Sequence, residues 1–277
     1  MVSINPLDVF LWTFRRNEKD VINLYSSLSP LMQLATGGSM LNFGYWSSQY
    51  NDPISAQNNL SMVFADFSDL STAKSVVDVG SGLSAPSQLW QENFPNLKLY
   101  DININFKQLL FVEKQKNIEF INSTSLRLPF TKNSVDRVLA LESAQHFKPI
   151  SDFIFESKRI LVESGLLVLA IPVVTRDSSV GKLGLLKYTW SSEHYSLNYL
   201  KDVLETSGFR ISDEKLIGRD VYVPLANYYE KNRTNIKKLI CKNYPQYVES
   251  ILFKSIQKMK QASEENLIEY ALIKCSN

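Results

Sequence analysis

The chain has 277 residues, 44 % of them hydrophobic, with 30 basic against 28 acidic side chains and a formal net charge of +2. That allows one large domain with a sizeable core, and the even charge argues against a nucleic-acid partner. The longest strongly apolar run (166–174) has strand length rather than the roughly 20 residues of a membrane-crossing helix, "RR" after the N-terminal apolar stretch argues against a secretory leader, and the only cysteines, Cys241 and Cys275, sit in no metal-like cluster and fit a reducing, cytoplasmic setting.

Residues 1–70 read as an N-terminal helical cap. Val21, Leu24, Tyr25 and Leu28 recur at helical spacing. The Gly- and aromatic-rich stretch "TGGSMLNFGYW" (36–46) interrupts the cap, and a second helical stretch runs up to Leu70. From Ser75 the pattern alternates. "SVVDVG" is a strand and "SAPSQLWQENF" a helix with Pro86 in its first turn, where a missing N–H costs little. "LKLYDI" and "NFKQLLFVEKQ" repeat the pair, and "IEFIN" and "VDRVLAL" are strands three and four. "ISDFIFESKRILVESG" reads as a helix ending at Gly165, followed by strand five, "LLVLAIPV". The helix "LNYLKDVLETSGF" stops at Gly208, "RISDEKLIG" is strand six, and "ENLIEYALIKC" is strand seven.

This alternation predicts an α/β fold: a Rossmann-like, doubly wound seven-stranded sheet with helical cap elements. Strand seven follows no crossover helix of ordinary length, so it reads as an antiparallel last strand inserted beside strand six. The expected organisation is a cap over 1–70, a core over 71–221 and 264–277, and a lysine-rich helical lid over 222–263. In the lid, Val248, Ile251, Leu252, Ile256 and Met259 share a face.

The stretch "VVDVGSGLSAPS" (76–87) reads as a buried strand, a sharp turn and a helix start. In an open parallel sheet the ligand sits beyond the C-terminal strand ends, and Gly80 and Gly82 let the backbone approach it closely. The order Gly80, Gly82, Ala85 still admits a dinucleotide. Asp101, ending strand two, offers a carboxylate to ribose hydroxyls under either reading.

Five ordered stretches narrow this. "SVVDVGSG", "YDIN", the run 126–147 with its "LPF", "RILVESGLLVLA" and the cap stretch "LNFGYW" together resemble class I S-adenosylmethionine-dependent methyltransferases. The resemblance is to the small-molecule branch of tocopherol-type and sugar or polyketide O-methyltransferases. It implies S-adenosylmethionine as cofactor, S-adenosylhomocysteine as product and a small-molecule partner, with no metal, nucleic acid or membrane. Gly80 and Gly82 then line the methionine and ribose part, and Asp78 orients the loop or reaches the cofactor's amino group through water. Asp101, with Ile102 beside it, binds the ribose hydroxyls. Thr124, Ser125 and Leu126 form the adenine strip, and Glu142 faces the methionine moiety. Two positions depart from the family pattern: Thr124 stands where an acid is usual, and Ser84 replaces the third motif glycine.

Aromatic rings favour a sulfonium neighbour, which makes Tyr25, Tyr45 and Trp46 candidates in the cap. His146, directly after strand four, is the candidate general base for a hydroxyl acceptor, and His194 lies on the loop after strand five. Both caps are expected to wall a pocket for a ring-bearing acceptor. Three other readings compete: a cofactor-binding cyclase on the same fold, a nicotinamide-dependent oxidoreductase, and a binding module without chemistry.

Overall fold

One seven-stranded sheet organises the computed structural model, which describes residues 17–184, 186–189 and 193–277. The first sixteen residues of the expected cap lie outside the described residues. The strands are β1 (Ser75–Val79), β2 (Lys98–Asn103), β3 (Ile118–Asn122), β4 (Val135–Leu141), β5 (Leu161–Val174), β6 (Arg210–Leu216) and β7 (Ile268–Ser276). Their order is β3-β2-β1-β4-β5-β7-β6. β7 lies antiparallel to both β5 and β6, while β1 to β5 pair in parallel. The expected fold and the antiparallel last strand are therefore present. The order reverses between β1 and β4, which places the switch point at the C-terminal end of β1.

Alternation along the central strands divides the core into two faces. Val76, Leu99, Leu139 and Val168 belong to one cluster with Leu60, Phe64 and Trp90, from helices α2 (Pro53–Phe67) and α3 (Ala85–Asn93). Val77, Val138, Leu167 and Leu169 belong to the other, with Phe153 of α5 (Ile150–Ile160) and Leu200 of α6 (Leu197–Thr206). Helices thus cover both faces, as buried parallel strands require. The cap helix α1 (Glu18–Thr36) opens on a reciprocal capping box between Asn17 and Asp20. A helical hairpin, α7 (Gly218–Asn243) and α8 (Gln246–Glu264), separates β6 from β7. Its own cluster, including Tyr229, Ile236, Ile240 and Val248, takes in Leu31 of α1.

Three local expectations change. α5 ends at Ile160 and β5 begins at once, with Leu161 pairing Val135, so Gly165 lies inside a strand and ends no helix. The helix after β2 is only α4 (Phe106–Leu110). Phe106, Leu110 and Phe111 are 55, 67 and 83 % exposed, so the apolar face that would prolong it is not buried in a core. The lid starts earlier than residue 222, because strand β6 stops at Leu216 and α7 begins at Gly218.

Trp90 is fully buried, packs on Phe64 and donates Nε1–H to the Ser61 carbonyl at 2.9 Å, so it ties α3 to the cap helix α2. Trp90→Ala is expected to destabilise the fold by about 3–5 kcal/mol, the range for deleting a large buried aromatic, read from urea unfolding.

Candidate active site

The β1–β2 register pairs Asp78 with Asp101, which places both side chains on the sheet face that α3 covers. The first turn of α3 begins at Ser84, held at φ +61°. Ser84 donates its hydroxyl to Asp101 Oδ2, and Ser87 donates to Asp101 Oδ1 at 2.6 Å. The second neighbour of Ser87 is Asp78 Oδ2, at 3.3 Å. Burial first, then the neighbouring Asp101, push Asp78 well above the usual carboxylate range. Burial also pushes Asp101 up to about 7, against the lowering effect of Ser84 and Ser87.

Above this pair the turn curls through Gly80 (φ +82°) and Gly82 (φ +58°). A Cβ on Gly80 would lie 2.4 Å from Ser143 Cβ, so the turn admits no side chain there. The turn forms one wall of a cleft. Ser81 Oγ, on the same wall, is buried and has no hydrogen-bond partner. A glycine cradle with an orphaned donor beside it fits the polar end of a ligand such as a methionine moiety.

At the end of β2 the cleft is lined by Ile102, Asn103 and Ile104, not by Asp101, which is fully buried. This corrects the expected placement of the acid. Asn103 donates to the Gly82 carbonyl at 2.9 Å and to Gln108 Oε1 at 3.0 Å. Ser125 and Leu126 reach the cleft as expected, but Thr124 does not. Its hydroxyl donates to Glu18, and Glu18 lines the cleft. The carboxylate missing from the strip is thus brought by α1, 106 residues away in the chain.

Glu142, His146 and Tyr25 also line the cleft. Glu142 follows β4 in a left-handed conformation, φ +51°, which favours glycine and marks the position as strained. Its Oε1 accepts the Phe43 N–H at 2.8 Å and the Tyr270 hydroxyl at 2.9 Å. Burial raises its pKa to about 8, against the lowering effect of both bonds. Tyr25 places its hydroxyl 2.8 Å from His146 Nε2, with the rings edge to face. Burial, and next the charge of Glu142, raise the Tyr25 pKa, so the phenol stays protonated beside the imidazole.

The cleft therefore gathers Tyr25, Gly80, Gly82, Ile102, Ser125, Leu126, Glu142 and His146, and leaves six expected residues off its wall. Asp78 and Asp101 lie beneath the turn, and Thr124 turns to Glu18. Trp46 is buried, donating Nε1–H to the Phe43 carbonyl and packing on Tyr228. Tyr45 does not line the cleft either. His194 is buried at φ +52° with Nε2 3.3 Å from the Lys187 carbonyl. No residue of α7 or α8 lines the cleft, so the lid supports the cap from behind. The wall residues that the sequence did not single out are chiefly Glu18, Ser81, Asn103 and Gln108.

The sheet order and the glycine turn after β1 at the switch point are those of class I methyltransferases, a family whose cofactor is S-adenosylmethionine. Residues 77–169 match the family model described as "Methyltransferase domain". Erythromycin 3''-O-methyltransferase of Saccharopolyspora erythraea is 26 % identical over 176 residues, 60 % of this chain. The match spans only 58 % of that relative's length. Among solved structures, the cyclopropane synthase MmaA2 from Mycobacterium tuberculosis superposes with a TM-score of 0.79 at 11 % identity, covering 94 % of this chain and 98 % of that one. The [4+2]-cyclase SpnF gives 0.76 at 17 % identity, covering 94 and 96 %. At these identities both show the fold alone.

Two expectations follow from this geometry. Gly80→Ala is expected to weaken S-adenosylhomocysteine binding by more than tenfold in calorimetry, because the added methyl meets Ser143. Asp101 and Glu142 titrate higher in the fold than in the unfolded chain, near 7 and 8. The folded state then holds their protons more tightly, so their contribution to stability is greatest below about pH 4 and is lost as the pH rises through about 7–8. Glu142→Gln, which keeps the neutral form, should flatten the fall of melting temperature across that interval for the ligand-free protein.

Proposed function

We propose that the chain transfers a methyl group from S-adenosylmethionine to a hydroxyl of a small natural product, with His146 as the base. The single observation that carries this reading is the His146–Tyr25 pair in the cleft that the glycine turn also lines. The similarity to erythromycin 3''-O-methyltransferase supports oxygen as the attacking atom.

The bound cofactor supplies an already activated methyl group, so the chain's task is to position the acceptor and take its proton. With the ring proton on Nδ1, His146 Nε2 accepts the Tyr25 hydroxyl. An acceptor hydroxyl that replaces Tyr25 on Nε2 finds a lone pair already aimed into the cleft. Tyr25, carried by α1, thus holds the imidazole ready and yields its place. Glu142, protonated in the empty cleft at neutral pH, also lines it. Glu18 and the Ser125–Leu126 strip sit at the adenine end, and Leu41 and Asn42 of the cap complete the enclosure.

The test is incubation with isotope-labelled methyl donor and a panel of hydroxyl-bearing macrolides, with products read by mass spectrometry. Gain of one labelled methyl at oxygen is expected. A product changed in its rings without loss of donor methyl would replace this reading with that of a cyclase. His146→Ala is expected to lower kcat by about 10²–10⁴-fold, while Tyr25→Phe lowers it by about tenfold or less, the weight of one hydrogen bond.

A further inference from the structure

We propose that Gln145 is a positioning residue that sets the tautomer of His146, keeping the ring proton on Nδ1 and the lone pair on Nε2. The inference rests on the reading of His146 as the base and adds the group that holds the base in its working form.

The amide of Gln145 has one orientation open to it. Gln145 is buried in the short helical turn Ala144–His146 that follows β4, and it does not line the cleft. Its side-chain Nε2 lies 2.7 Å from the Glu142 carbonyl. A carbonyl accepts and never donates, so the amide presents its NH2 there. Turned over, it would set two oxygens against each other with no proton between them. The backbone of the turn is tied as well, since the Gln145 carbonyl accepts the Glu193 N–H at 3.0 Å. This orientation leaves Oε1 buried with no hydrogen-bond partner among the described residues, a cost that a freely turning amide would avoid.

The same nitrogen lies 3.3 Å from His146 Nε2. An amide NH2 carries two protons and accepts none, so with one on the Glu142 carbonyl the other is directed at the imidazole. A ring nitrogen that faces this proton is the bare one. Tyr25, 2.8 Å from the same atom, does not make the choice, because a hydroxyl donates to a bare nitrogen and accepts from a protonated one. In water the neutral side chain prefers its proton on Nε2, so the tautomer that a base needs at Nε2 has to be imposed by a neighbour. The Gln145 contact is the longer of the two. It selects the tautomer and leaves the direction held by Tyr25 to an acceptor hydroxyl.

The experiment is nitrogen-15 NMR of the ligand-free protein labelled at histidine, at alkaline pH where the ring is neutral. The chain has only two histidines, and loss of one ring system in His146→Ala assigns them. In the wild type His146 should show a protonated Nδ1 and a bare Nε2. Gln145→Leu and Gln145→Met, the second closer in length, both remove the donor. Each should move the two ring-nitrogen shifts toward one another as the Nε2–H form becomes populated. Tyr25→Phe should keep the wild-type shifts, whereas a general loosening of the site would move them there too. A wild type with its proton on Nε2, wild-type shifts in either Gln145 variant, or a lost preference in Tyr25→Phe overturns the proposal. The readout needs neither cofactor nor acceptor. A failed methyl-transfer assay with these shifts as expected removes the base reading and leaves the hold of Gln145 on the ring.

Discussion

Everything at the cleft is referred to one pairing, the side-by-side register of Asp78 and Asp101 in adjacent parallel strands. Two carboxyl groups in a dry interior cannot both ionise, so the pair keeps a proton. Ser87 stands between them, 2.6 Å from Asp101 Oδ1 and 3.3 Å from Asp78 Oδ2, and ties both to the first turn of α3. The remaining negative charge lies at the N-terminal end of α3, where unpaired backbone N–H groups favour an anion. Strand register, helix start and turn geometry are therefore parts of one arrangement. Displacing α3 would strand a buried charge, which is why the turn it carries makes a rigid wall.

Another part of the cleft depends on a different carboxyl. Through Oε1, Glu142 joins the cap loop at Phe43, the end of β4 and Tyr270 of β7. These three points are far apart in the chain, and a single buried acceptor draws them together. The lid reinforces the same junction from outside. Trp46 donates its backbone N–H to the carbonyl of Asp220, at the start of α7, and packs on Tyr228, while Phe43 meets Tyr222 edge to face. The aromatics of the cap and lid therefore act mainly on one another. They hold α1 in place, and α1 delivers Tyr25 and Glu18 to the cleft.

How far the sequence foretells this arrangement depends on the range over which each feature is decided. The strands are legible because runs such as "SVVDV" and "VDRVLAL" are buried on both faces, and Gly80 because no side chain fits beside Ser143. What escapes is the choice between neighbours. Asp101 and Asn103 share a strand face, and only the helix lying over them decides which is covered. Glu18 and Thr124 are far apart in sequence, and no local pattern announces that one carboxylate serves the other's strip. Trp46 reads equally well as a sulfonium neighbour or as packing, until Tyr228 is seen to take its ring. α4 falls short of its periodicity because Phe111 has no core to enter.

The distribution of acids also sets how the cleft answers charge. Asp78 and Asp101 are sealed beneath the turn, so their charge is answered by serines and helix N–H groups instead of by a ligand. Glu18 and Glu142 remain on the wall, one exposed at the cap and one held near a pKa of 8 by burial. A cation entering beside Glu142 favours its ionised form, and a neutral molecule does not.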